Sequence, residues 1–172
     1  MRPIRFPIAA LVLALPACGP SVDAPPNQAD LDALAEEVRE VMEEFTAATN
    51  SHDPERLFDL YKDTEEFVYM GCTDPLFGFD SFSARVGPYY RSNTDVTFEQ
   101  EILQVQVLNP GAAVVTLRGS STEASALFWT LVLVRQDDDR WLIAHEHESW
   151  PGCPEPAPPH PTGEMPAVGV EG

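Results

Sequence analysis

The chain has 172 residues, with 10 basic and 28 acidic side chains and a net charge of −18. A surface this acidic repels nucleic acid and anionic lipid headgroups, so neither is an expected partner. The charge favours solubility and leaves the fold open.

The first segment reads as an export signal over residues 1–17. Arg2 and Arg5 precede an apolar run from Ile8 to Leu15 that is too short to span a bilayer. Leu15, Ala17 and Cys18 resemble the lipobox of bacterial lipoproteins. That resemblance implies a lipid on Cys18 and a periplasmic, envelope-anchored protein whose contact with membrane is the lipid alone. Gly19 is unlike the inner-membrane retention signal, which points to the outer membrane. The alternative is an ordinary secretory signal with Cys18 as a passenger; both versions export the chain. Two cysteines then remain, Cys72 and Cys153. An oxidising compartment favours a disulfide between them, provided geometry brings them together.

Residues 18–29 read as a linker, and a single domain is expected over residues 30–150. Leu31, Leu34, Val38, Val41, Met42, Phe45 and Ala48 form one stripe at three- and four-residue steps, which predicts a long amphipathic helix capped by Asn27 or Asp30. Asp53 and Pro54 open a second helix, "PERLFDLYK". "EFVYMG" reads as a strand and "CTDPLFG" as a turn. "FDSFSARVGPYYRS" reads as a third helix, broken at Gly87 and Pro88. Four long β-rich segments follow: "VTFEQEILQVQVLN", "AAVVTLRGSSTE", "SALFWTLVLVRQ" and "WLIAHEHES". From Pro151 onward, seven prolines in 22 residues predict a disordered tail over residues 151–172. The expected class is α+β, with three N-terminal helices packed on a curved, mostly antiparallel sheet.

"FTAATNSHDPERLFDLY", "GFDSF" and the closing "DDDRWLIAHEHES" together resemble the SnoaL-like group of the nuclear transport factor 2-like superfamily. The resemblance covers Leu31 to Ser149. It implies a cone-shaped α+β barrel in which a bent sheet wraps the first helix around an apolar pocket, and a homodimer as the usual assembly. It implies no single chemistry, because members include enzymes, binding modules and assembly domains. The ketosteroid isomerase members carry a Tyr on the first helix, a base Asp at the end of the first strand and a protonated Asp on the next-to-last strand. Aligned on Asp53, on Leu60–Tyr61 and on the last strand, those positions fall on Phe45, on Tyr69 or Met70, and on Leu131. None of these can take the matching role, so that isomerase chemistry is not expected.

The run His145–Ser149 concentrates titratable groups at the end of an apolar strand. Strand side chains alternate. One face carries Trp141, Ile143, His145, His147 and Ser149; the other carries Leu142, Ala144, Glu146 and Glu148. The resemblance places Ala144, Glu146 and Glu148 on the pocket, with Leu127, Trp129, Leu131 and Leu133 from the preceding strand. Phe45 and Tyr69 complete the expected lining. His145 and His147 would then lie on the outer, dimer-forming face. A bulge or a frayed strand end would reverse or dissolve this arrangement. His-x-His resembles part of the cupin signature, but no third ligand follows, and His52 and His160 lie elsewhere. No metal and no cofactor are expected.

Three function classes stay open. The first is an envelope domain binding a small apolar or cationic molecule, or a partner. The second is a lyase, isomerase or hydrolase with Glu146 or Glu148 as acid or base. The third is a dimeric assembly domain. The first is preferred, because no nucleophile–base pair, phosphate loop or cofactor fingerprint is present.

Overall fold

The computed structural model describes residues 26–72 and 75–153. The export signal, Cys18 and residues 154–172 of the expected tail lie outside the described residues. The elements run α1 (Gln28–Ser51), α2 (Pro54–Phe58), β1 (Val68–Met70), β2 (Leu76–Phe77), α3 (Phe79–Ser92), β3 (Phe98–Asn109), β4 (Ala112–Ser121), β5 (Leu127–Arg135) and β6 (Trp141–Ser149).

Helix α1 begins where the sequence supplies a reciprocal cap. The Asn27 side chain accepts from the Asp30 amide at 3.1 Å, and the Asp30 carboxylate accepts from the Asn27 amide at 3.2 Å. The helix therefore starts upstream of the expected domain boundary at residue 30. Leu34, Val38, Met42, Phe45 and Ala48 are buried, while Leu31 and Val41 at the stripe's margins are half-buried. Asp53 caps α2 through the amides of Glu55 and Arg56. That helix is shorter than "PERLFDLYK" suggests. The Leu60 carbonyl accepts from the Ile143 amide and the Lys62 amide donates to the Ile143 carbonyl, each at 2.8 Å, so the backbone there is already tied to the sheet.

Helix α3 passes through Gly87 and Pro88 without the expected break. Pro88 forfeits one helical hydrogen bond. Gly87 is buried close to the Phe58 ring, and Phe82 is fully buried one turn earlier, so packing holds the helix across the defect. Strand β2 is two residues long, hidden inside the segment read as a turn.

The sheet order is β2-β1-β6-β5-β4-β3, antiparallel throughout except for the parallel β1–β6 pair. It is an open sheet with β2 and β3 at its edges, rather than a closed barrel. Register shifts at Ile102/Gln104 and Val107/Asn109 bend β3, and α1 packs against that strand. Ala113, Val115, Leu117, Leu131, Leu133 and Ile143 form the sheet's contribution to the core beneath α1.

A third register shift decides the functional face. Val132 pairs with His145 and Leu133 pairs with Ile143, so Ala144 is an extra residue on β6. The bulge corrects the strict alternation read from sequence. Trp141 and Ile143 point into the core on the same face as Glu146, and the histidines point the other way.

Candidate functional site

A cavity of about 680 Å³ opens at one end of the sheet. Each wall has a sequence reason. The inward positions of β5 and β6 beyond the bulge supply Trp129, Glu146 and Glu148. The last turns of α1 supply Phe45 and Thr49 after the stripe has buried its earlier residues. Helix α3 contributes Phe82, Tyr89 and Tyr90, and β1 contributes Tyr69. Tyr61 enters from the short bridge between α2 and β1. Gly119 on β4 leaves room for the Trp129 ring: a Cβ there would lie 3.1 Å from the indole and would strike the Glu99 carbonyl.

Two tyrosine–glutamate pairs define the polar part. The Tyr61 hydroxyl donates to Glu146 Oε2 at 2.5 Å, and the Tyr69 hydroxyl donates to Glu148 Oε2 at 2.9 Å. Glu146 is only 4% exposed. Burial, reinforced by the neighbouring Glu148 charge, pushes its carboxyl up to about 8, while the Tyr61 hydrogen bond works in the opposite sense. Burial also raises Glu148, opposed by hydrogen bonds from Tyr69 and Trp129. Tyr61, Tyr69 and Tyr90 are all raised, by burial first and by the carboxyl charges second, so they act as neutral donors. Tyr89 is pushed up to about 12 by burial and by its 3.0 Å hydrogen bond to Glu123. A neutral Glu146 accepts from Tyr61 and retains a proton of its own to donate.

Of the residues expected on the pocket, Phe45, Tyr69, Leu127, Trp129, Glu146 and Glu148 line the cavity. Three do not. Leu131 and Leu133 are fully buried in the core, and Ala144 is absorbed by the bulge. His145 and His147 lie on the outer face, the first half-buried and the second exposed. The His145 imidazole is held below its ordinary range by burial first and by His147 second. Sequence reasoning missed Tyr61, Phe82, Tyr89 and Tyr90. The aromatic density of "FDSF" and "PYY" was a usable signal, but α3 was expected to stop at Gly87.

Cys72 and Cys153 form a disulfide with a Cα–Cα distance of 5.0 Å. It joins the segment after β1 to the turn after β6, and Gly71, Trp150, Pro151 and Gly152 on both sides line the cavity. Residues 151–153 therefore belong to the site and not to a free tail.

The sequence profile of the SnoaL-like domain matches residues 38–152. The chain belongs to the SnoaL-like domain family. Solved structures with the same fold include an NTF-2-like protein of unknown function from Shewanella oneidensis, at 20% identity and TM-score 0.60, with 67% of this chain and 98% of that one covered. A putative ketosteroid isomerase from Shewanella frigidimarina matches at 18% identity and TM-score 0.56, covering 66% and 94%. A putative calcium/calmodulin-dependent protein kinase type II association domain from Thiobacillus denitrificans matches at 15% identity and TM-score 0.53, covering 65% and 93%. These likenesses concern the fold alone. No curated protein is significantly similar in sequence.

Proposed function

We propose that this domain binds a small molecule, apolar or cationic, in the cavity at the end of the sheet. The observation that carries the reading is the cavity's make-up: about 680 Å³, walled by aromatic rings, with one buried and one part-buried carboxyl held by tyrosine hydroxyls. An apolar lining with a few fixed polar groups is the usual form of a small-molecule site. Native mass spectrometry of the purified chain, with chemical-shift mapping of any co-purified or added small molecule, tests it. Shifts centred on Trp129, Tyr61 and Phe82 are expected. Ligand shifts confined to the outer face of the sheet would refute it.

A second reading uses the same residues. A carboxyl at about 8 gains and loses a proton near neutral pH, which suits a general acid or base. In that reading Glu146→Gln keeps ligand binding and abolishes its turnover. Turnover unchanged in the variant would remove it.

Two further proposals concern the setting. Lipidation of Cys18 in the bacterial envelope follows from the lipobox-like residues, and Cys18→Ser should release the chain from membranes. A homodimer on the outer face would place His145 and His147 in its interface. Protonation of His145, whose imidazole burial holds below its ordinary range, would weaken it at acid pH. Light scattering between pH 5.5 and 7.5 reads this out, and a monomer at neutral pH and micromolar concentration would exclude it.

A further inference from the structure

We infer that the ligand of this cavity is an organic ammonium ion, its charge held by Glu146 and Glu148 and its apolar body by the Trp129, Tyr61, Tyr69 and Phe82 rings. The inference rests on the reading that the cavity binds a small molecule, and it narrows that molecule's chemistry.

The argument starts from what the carboxyls lack. Buried carboxylates are ordinarily paired with a cation. Glu146 meets the Tyr61 hydroxyl and Glu148 meets the Tyr69 hydroxyl. The groups facing Glu146 are Tyr61 from the α2–β1 segment, Tyr69 on β1, Tyr90 on α3 and Glu148 on its own strand. None is basic. Among the lining residues Arg85 is the one cation; it is exposed on α3, and neither glutamate is among the described salt-bridge partners. The lining therefore carries three carboxyls, Glu123 bonded to Tyr89 and the Glu146–Glu148 pair, against the single exposed Arg85, and no described cation pairs with Glu146 or Glu148.

The walls favour the same class. The Phe82 ring lies 4.8 Å from Tyr61 and 5.3 Å from Tyr69, centroid to centroid, in tilted arrangements. Such a group of rings accepts the body of a ligand and attracts a cation at its faces. An anionic ligand would be repelled by whichever of the two carboxyls is ionised, in a poorly solvated place. A neutral ligand would leave an ionised carboxyl there without a counter-ion. An ammonium supplies the missing charge and, unless quaternary, up to three N–H donors for the two carboxyls. The net charge of −18 also raises the local concentration of cations.

Protons move with this binding. Glu146 holds its proton below about 8, and it must release it to pair with an ammonium. Ammonium affinity should therefore rise with pH up to about 8. A neutral ligand should show no such dependence.

The experiment compares two probes of one shape by calorimetry on the full chain: 4-phenylbutan-1-amine, charged below pH 9, and 4-phenylbutan-1-ol. The ammonium is expected to bind about 30-fold tighter at pH 8, the size of one charge-assisted hydrogen bond. Its affinity should fall by up to about tenfold per pH unit from 8 to 6. In Glu146→Gln the pH dependence flattens. In the double variant Glu146→Gln/Glu148→Gln the preference disappears while the alcohol still binds, which shows the cavity intact. If the alcohol binds the wild-type chain as tightly as the ammonium, the pocket reading stands and this inference fails. If neither probe enters at millimolar concentration, both fail.

Discussion

Strand β6 carries two different surfaces on one side of the sheet. Before Ala144, Trp141 and Ile143 are buried among Leu133, Ala113 and the α1 stripe. After it, Glu146 and Glu148 look into a cavity among tyrosines. A single extra residue lets two halves with opposite parities share one face. The closed half is built for burial, with every inward side chain apolar or, like the Trp141 indole, hydrogen-bonded to Glu37 at 3.0 Å. The open half places ionisable groups where burial penalises their charge. Stability and site chemistry are thus divided along one strand, and variants in each half should behave differently.

The largest expected effect separates the halves by pH. The ordinary Glu value is 4.5, and Glu146 stands at about 8 in the folded chain. Between those values the folded state holds one more proton than the unfolded state. Stability from this group is complete below about 4.5 and is lost as pH rises through about 8. The slope reaches at most about 1.4 kcal/mol per pH unit, and the sum is roughly 5 kcal/mol. Urea denaturation at pH 5 and pH 8.5 should show the decline in wild type and much less of it in Glu146→Gln. Equal declines in both would place the responsible charge elsewhere.

Next comes the tie across the open half. The Cys72–Cys153 disulfide closes a loop with a sequence separation of 81. Opening it, by reduction or in Cys72→Ser/Cys153→Ser, is expected to cost about 4 kcal/mol by the chain-entropy argument. A loss well under 1 kcal/mol would show that the cavity end holds itself together without the bond. In the closed half, Ile143→Ala should cost about 3 kcal/mol through the void it leaves. It should leave the pH slope of Glu146 unchanged, and a changed slope would show that the halves are coupled through the bulge.

The same division explains what could be read from sequence. The closed half and α1 follow periodicity, and periodicity is visible: the Leu34–Ala48 stripe and the four long strands lie where the pattern places them. Glu146 and Glu148 were assigned to the cavity face, but by a route that also put Ile143 outside. Alternation has no marker for a bulge, and Ala144 carries no residue signal such as a glycine. Tyr61 was hidden for a different reason. It follows a helical pattern, and only its tertiary tie to Ile143 pulls it out of the helix and turns its hydroxyl toward Glu146. The Gly87–Pro88 pair misled because its local cost is real but is offset by the tertiary packing of α3 around Phe82 and Gly87.

The smallest effect tests the contact where the halves meet. Tyr61 is bridged to Ile143 by its backbone and bonded to Glu146 by its hydroxyl. Tyr61→Phe keeps the ring, and with it the contacts to Phe67 and Phe82 at 5.5 and 4.8 Å between centroids. Only the donor to Glu146 is lost. At pH 6, where Glu146 is neutral, that should cost about 1 kcal/mol, the size of an ordinary buried hydrogen bond. The Tyr61 bond holds the carboxyl down, so its removal should raise Glu146 further above about 8 and extend the pH range over which stability falls. The cost of the substitution should therefore grow above pH 8, where the wild-type carboxylate keeps a donor that the variant lacks. Carboxyl titration by NMR in the two proteins reads the shift directly. A downward shift would mean that Tyr61 serves the neutral form of Glu146, and the hydroxyl would then belong to the closed half as a packing contact and not to the chemistry of the cavity.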